Sequence, residues 1–139
     1  MTEADLAEII AIFPLTGVLL LPGMRLPLQA FEPRYRALVE DALDNDRHFG
    51  MIQPLVPRQD SRPLPDVGLD SPALYEVGCL GRIGQCERTE DGRFGLTLAG
   101  VARFRVLEEL PLQRGYRRVR VSYLDYQGDL LEPDADFDA

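Results

Sequence analysis

The stretch IFPLTGVLLLPGMRLPLQAFEPRYRALVEDAL, Ile12 to Leu43, decides how this chain folds. It opens on a run too apolar for an ordinary surface, breaks at Pro22-Gly23, restarts as RLPLQAF and then turns helical. Pro-Gly is a turn dipeptide. IFPL and VLLLPG read as a strand and its end. After the turn, Leu26, Leu28 and Ala30 fall on one face and Pro27 and Gln29 on the other, the alternation of a half-buried strand. Pro14 and Pro27 lack an N–H, so each must sit at an edge, a bulge or a strand end. Glu32-Pro33 then starts a helix, because proline at the first helical position gives up an N–H that would have no partner anyway. Tyr35, Leu38, Val39, Ala42 and Leu43 follow the spacing of a single buried stripe, with Arg36, Glu40, Asp41 and Asp44 toward water. Asn45 and Gly50 bracket the stop. The pattern predicts a helix over residues 33–45.

Working outward, residues 1–11 read as a weak, partly acidic lead-in. FGMIQPLV, residues 49–56, reads as a near-continuous apolar strand, and residues 57–73, with four prolines, as a long surface loop. Beyond it, GCLGRIGQCER and RFGLTLAG are joined through Thr89-Glu90-Asp91-Gly92, and Asp-Gly is a strong hairpin signal. Phe94, Leu96 and Leu98 point one way. Ala102, Phe104 and Val106 form the next inward row, and Val119, Val121 and Tyr123 the last, with Arg118, Arg120 and Ser122 outside. Period-two alternation in three successive segments predicts a meander. The expected architecture is a β-rich α+β domain of about six or seven strands closing partly on themselves, with one main helix. A domain over 1–126 is followed by an acidic tail, 127–139, whose end from Asp129 is expected to fray.

Composition removes several functions. The chain has 139 residues, enough for one domain with its own core. All fifteen basic residues are arginine. Without lysine there can be no P-loop lysine, no Schiff base and no Ser–Lys dyad. His48 is the sole histidine, and the Cys, His and carboxylate spacing suits no standard metal site. No metal or cofactor is expected. Cys79 and Cys86, on one strand, would lie about 23 Å apart at ~3.3 Å per residue, too far for a disulfide, and seven positions would place them on opposite faces. They are expected to be reduced and mostly buried. No run approaches the ~18 apolar residues of a membrane helix, and the acidic N-terminus is not a secretory signal, so the expected setting is the cytoplasm.

The same stretch, together with HFGMIQ, YEVGCLGRI, EDGRFGLTLAGVARFRVLEEL and YRRVRVSYL, resembles the N-terminal domain of Lon-type proteases over residues 12–126. The resemblance implies a PUA-like pseudo-barrel and a substrate-recognising role, seen also in small stand-alone bacterial proteins. Proteolysis does not carry over, since the sequence has neither an ATPase nor a protease segment and no lysine. Stand-alone relatives continue into a helical region, and the chain is expected to be cut short of it. The family pattern maps onto Pro14, Pro22, Gly23, Phe31, Glu32, Arg34, Tyr35, Gly50, Gly78, Gly100, Arg103 and Phe104. Most of these read as structural. The glycines suit turns or close backbone approach, and Phe31, Tyr35 and Phe104 suit core. Glu32 and Arg34 suit a local ion pair or a helix start. Arg103, projecting opposite Phe104, is expected to be exposed or paired across strands.

One part of the opening stretch is left over. Val18 to Leu21 cannot all face one core, because adjacent residues on a strand point to opposite sides. Two readings stay open: both faces are covered, as in fully buried strands, or some of Leu19, Leu20, Leu21 and Met24 form a contact patch around the turn. On the second reading Leu20, Leu21, Pro22, Gly23 and Met24 are the candidate protein-binding residues. Pro22 would end the ladder and leave backbone groups free for an extended peptide. The expected function is then a non-catalytic module for unfolded or client proteins and peptides. The alternative is RNA binding, as PUA-like folds include RNA-binding domains and residues 78–126 carry a net charge of +3 within a chain of −8. Arg82, Arg103, Arg105, Arg118 and Arg120 could share a face there. The overall sign opposes polyanion attraction, and no aromatic–basic stacking platform appears.

Overall fold

The structure is a computed structural model, and residues 6–55 and 73–130 are described here. The long loop predicted over 57–73 falls, except for residue 73, outside them, as do residues 1–5, residue 56 and the tail from 131 onward. Six strands form: β1 (Ile9–Pro14), β2 (Arg25–Ala30), β3 (His48–Ile52), β4 (Val77–Arg88), β5 (Phe94–Gln113) and β6 (Tyr116–Ser122). One helix, α1 (Pro33–Leu43), follows β2, and a 3-10 segment, Leu124–Leu130, follows β6.

The strands lie in the order β2-β5-β4-β3-β1-β6, and β6 pairs again with β5. That second pairing closes β1, β3, β4, β5 and β6 on one another, a β-rich α+β pseudo-barrel with one main helix. Every pairing is antiparallel except β1 with β3. β2 and β6 occupy successive lengths of β5: β2 pairs with residues 94–99, and β6 with residues from 105 onward.

Two cores result. One lies among β1, β3, β4, the middle of β5 and β6, and holds Ile10, Ile12, Ile52, Leu80, Ala102, Phe104, Val119, Val121 and Tyr123. The other packs the helix stripe Ala37, Leu38, Val39 and Ala42 and the inward face of β2 against Phe13, Phe49, Met51, Leu96 and Leu98. β1 feeds both, alternating Ile10 and Ile12 to one side with Ala11 and Phe13 to the other. A strand covered on both faces reads as continuously apolar, which is why IIAIFP has no alternation to reveal it. The lead-in read over residues 1–11 is therefore corrected: the strand starts at Ile9, and Leu6 is already buried.

Three further expectations are revised. RFGLTLAG and ARFRVLEEL are one strand, not two. β5 runs through Gly100 with a register shift against β4, where Leu80 faces Ala102 and Gly81 faces Gly100. VLLL is not strand at all, and β3 stops at Ile52 rather than 56. The two cysteines, both free and both on β4, do not face opposite ways: Cys79 is in the helix-side core and Cys86 packs against it. The shifts at Leu80/Gly81 and Ile83/Cys86 break the parity that a regular strand would keep. Burial pushes the Cys79 thiol up to about 12 and raises Cys86 as well. Among the expected inward rows, Phe94, Leu96, Leu98, Ala102, Phe104, Val119, Val121 and Tyr123 are buried and Val106 is half-buried.

Phe104 fits because two neighbours have no side chain. A Cβ on Gly50 would stand 2.8 Å from its ring, and one on Gly78 would stand 2.7 Å from the ring and 2.5 Å from the Met51 carbonyl oxygen. Gly95, by contrast, has nothing within 4 Å of that position. Gly78→Ala is therefore expected to cost about 2–3 kcal/mol through overpacking, read as a lowered urea midpoint. Gly95→Ala should stay within about 0.5 kcal/mol, as surface changes do. Equal midpoints for the two variants would contradict this packing.

Candidate functional site

The apolar surplus around Pro22 divides by side. Leu20 is 4% exposed and belongs to the helix-side core, whereas Leu19 is 58%, Leu21 39% and Met24 38% exposed. Covering of both faces is thus excluded for three of the four, and Leu20 is withdrawn from the candidate contact residues. Leaving the strand conformation at 15–24 lets one leucine turn in while its neighbours turn out.

The turn is tightly held. Met24 N–H donates to the Leu21 carbonyl at 2.9 Å, with Pro22 second and Gly23 third at φ +86°. That is the residue pattern of a type II turn, whose third position requires positive φ. Gly23 N–H donates to the Gly100 carbonyl at 3.0 Å, and Gly100 N–H donates to the Met24 carbonyl at 2.8 Å. The backbone groups expected to be free at Pro22 are in fact used. A Cβ on Gly100 would lie 2.0 Å from the Leu21 oxygen, so only glycine lets the turn seat there.

A free edge does exist nearby, on β2. Among the described strands β2 pairs only with β5. Since Gly100 bonds Met24, the register places Leu26, Leu28 and Ala30 toward β5 and leaves the backbone of Arg25, Pro27 and Gln29 facing away. Pro27 sits where a missing N–H costs the sheet nothing. Beside this edge runs a groove of about 440 Å³ lined by residues that include Val18, Leu26, Gln29 and Tyr35. At its rim stands Phe31, 58% exposed. Phe31 was expected in the core. It follows inward Ala30 at the end of β2 and so points out.

The rest of the FEPRY motif holds the helix start. Glu32 occupies the N-cap without a side-chain cap bond. Instead it accepts from Arg34 Nε at 3.1 Å. Arg34 lies over the Tyr35 ring at 5.0 Å, and Tyr35 stacks on Phe13 at 4.0 Å and 4°. The motif therefore ties α1 to β1.

Arg103 has a side chain 43% exposed, as one of the two expectations had it, and it pairs with the 3-10 segment instead of across strands. Its backbone N–H and Nε donate to Asp129 Oδ2 and its Nη2 to Oδ1, each at 3.0 Å. These bonds hold the Asp129 carboxyl below its ordinary range. Asp129, read as the start of a fraying end, is thus docked on β5. Periodicity could not have found it, because the 3-10 segment has no repeating apolar face. Of the other arginines proposed as a basic face, Arg105 meets Glu76 and Asp125, and Arg120 meets Glu108 at 3.6 Å. Arg118 donates to the Pro111 carbonyl. Three of the five arginines thus meet carboxylates, while Arg118 meets a neutral carbonyl and Arg82 is exposed. Among the described residues no three His, Cys, Asp or Glu side chains converge as metal ligands, and no helix is long and apolar enough to cross a membrane.

Comparison with known proteins agrees with this geometry. The family model described as the ATP-dependent protease La (LON) substrate-binding domain matches residues 9–139. The Lon protease of Dictyoglomus thermophilum is 31% identical over 121 residues, 87% of this chain and 14% of that protein. Lon protease 2 of Sorangium cellulosum is 33% identical over 119 residues, 83% of this chain and 13% of its own length. The chain thus spans about 14% of the length of the curated relatives it matches. The crystal structure of a Lon N-terminal domain protein from Xanthomonas campestris superposes with a TM-score of 0.62 at 30% identity, over 83% of this chain and 59% of that one. The N-terminal domain of a Mycobacterium avium complex Lon protease shares the fold, with a TM-score of 0.59 at 18% identity. None of these matches supports RNA binding.

Aspartate substitutions separate the two sides of the turn. Leu20→Asp should destabilise by several kcal/mol, because its charge would be desolvated without a partner. Leu21→Asp and Met24→Asp should cost about 1 kcal/mol or less. Chemical denaturation of the three variants measures this, and a severe loss for Met24→Asp would show that the turn is core.

Proposed function

The chain belongs to the Lon protease substrate-binding domain family, and from that membership we propose that it is a non-catalytic module that holds unfolded segments of client proteins in the cytoplasm. The observation that carries the reading is the outward set Leu19, Leu21 and Met24 around the turn, with Phe31 at the rim of the groove beside the free edge of β2. Apolar side chains held out by a fixed turn cost little ordering entropy on binding, since the backbone is already in place. Methionine adapts to varied partners. An extended client segment could add main-chain bonds at Arg25, Pro27 and Gln29 while its side chains enter the groove, the general mode of strand addition. Of the family-motif residues, Glu32, Arg34 and Tyr35 line the groove, while Gly78, Gly100 and Phe104 support the surface from behind. The proposal places the binding module within 1–126 and the acidic tail outside it.

The chemistry available agrees with a binding role. The sequence offers no lysine for a Ser–Lys dyad, and Cys79, the buried thiol, is held far from its reactive thiolate form.

The purified chain is expected to leave casein intact with or without ATP, and to bind a permanently unfolded protein such as reduced, carboxymethylated α-lactalbumin, read by fluorescence anisotropy. Leu21→Asp with Met24→Asp should weaken that binding at least about tenfold, the loss of roughly 1.4 kcal/mol, with the fold intact by circular dichroism. Unchanged binding by the folded double variant would sink the proposed surface.

A further inference from the structure

Arg103 and Arg105 stand two positions apart on β5, so both project to the face opposite Ala102 and Phe104. What they meet there is a short piece of the same chain. Asp129 takes both arms of the Arg103 fork, and Arg105 Nε donates to Asp125 at 2.8 Å. Between the two acids, the Tyr126 ring lies under the Arg103 guanidinium at 4.7 Å. Two carboxylates four residues apart, with an aromatic ring beside the first, thus match two arginines two residues apart. The two-pronged acid–guanidinium pair is the strongest ordinary form of such contacts.

We propose that this strip of β5 is a seat for a short acidic peptide carrying an aromatic ring, filled in cis by residues 124–130 and able to take a partner's segment of the same chemistry in trans. The segment is built to exchange. Its root is fixed, since Tyr123 is buried and its hydroxyl donates to the Ala7 carbonyl at 2.9 Å. Past the root, Leu124 is exposed, and Asp125, Tyr126 and Asp129 meet β5 through ion pairs and a ring contact. The Arg105–Asp125 pair is open to solvent and weakens with salt, which leaves the two-pronged Arg103–Asp129 pair, with Asp129 only 11% exposed, as the main hold. The segment can therefore lift without opening either core. A partner must outcompete a tethered ligand, whose effective concentration is on the order of millimolar. Its apparent affinity falls by the fraction of time the seat is empty. The seat adjoins the Pro22 turn, since Arg103 lines one small cavity with Leu19 and Leu21, but the inference does not rest on the function proposed for that turn.

The test uses the full chain and a fluorescein-labelled peptide of residues 124–130. In the Asp125→Asn/Asp129→Asn double variant the seat loses its cis ligand, and the peptide should bind at least roughly tenfold tighter than to the unmodified chain. A peptide with both aspartates changed to asparagine should not bind, and Arg103→Gln in the double variant should abolish binding. Equal binding of the two peptides, no binding to a double variant that melts normally, or displacement by a single-stranded oligonucleotide would each overturn the assignment. A second measurement needs no variant. The Arg103 amide donates to Asp129, so its hydrogen exchange in the unmodified chain should speed up markedly in 1 M NaCl. Exchange unmoved by salt would show a fixed segment and refute the exchangeable seat.

Discussion

At residue 100 the chain must have no side chain, and much of the molecule hangs on that requirement. β5 is 20 residues long and serves two neighbours along one side. Gly100 lies where it passes from one to the other, next to the register shift against β4. The same position accepts Gly23 N–H and donates to Met24, with the Leu21 oxygen in the space a Cβ would need. One glycine thus lies at the register shift of the longest strand and seats the apolar turn. A bulge that re-aims a strand beside a functional surface is a recurring device.

Charge does much of the joining outside the cores, and among the described residues arginine does most of it. The guanidinium fork can span two acceptors at once, which a lysine ammonium cannot do with the same planarity. Arg114, in the two-residue turn between β5 and β6, reaches Asp41 and Glu40 on α1 and so ties the hairpin tip to the helix. Arg117 is buried and takes both oxygens of Glu109. Arg47 donates to the carbonyls of Ile83 and Gly84, closing the gap between the helix end and β4. Tyr116 adds its hydroxyl to Asp41, and burial together with that bond pushes its pKa up to about 12.

Much of this was readable where period and burial agree. The helix stripe from Tyr35 to Leu43, the Asp91-Gly92 hairpin and the rows on β5 and β6 each had a regular spacing to follow. The failures share a cause: the residue's environment was set by something distant in sequence. The end of β1 was read in IFPL, but its start hid because both its faces are covered. Cys86 changed sides because of bulges that no local signal marks. Leu20 and Phe31 were misplaced for opposite reasons. Leu20 lies in irregular chain, where alternation says nothing, and Phe31 lies one step past a strand's last inward residue. Asp129 was invisible because an acidic residue near a terminus looks the same whether solvated or paired. At the candidate surface, the turn and its surplus were legible from composition alone, but the groove and the open edge of β2 needed the register.

The pairing of β1 with β6 sets a tempo for how the chain acquires its shape. Ile12 lies opposite Arg117, so the ring of strands is completed by segments from nearly opposite ends of the domain. Such distant contacts carry a large loop-closure cost before they repay it, and topologies of this kind fold slowly for their size. During synthesis the early strands, the helix and the apolar turn emerge well before β6 can reach β1. Until then β1 lacks one flank and exposes apolar residues that later fill two cores. The nascent chain would thus pass through an interval in which it is itself the kind of unfolded, apolar polypeptide that the finished surface is proposed to hold.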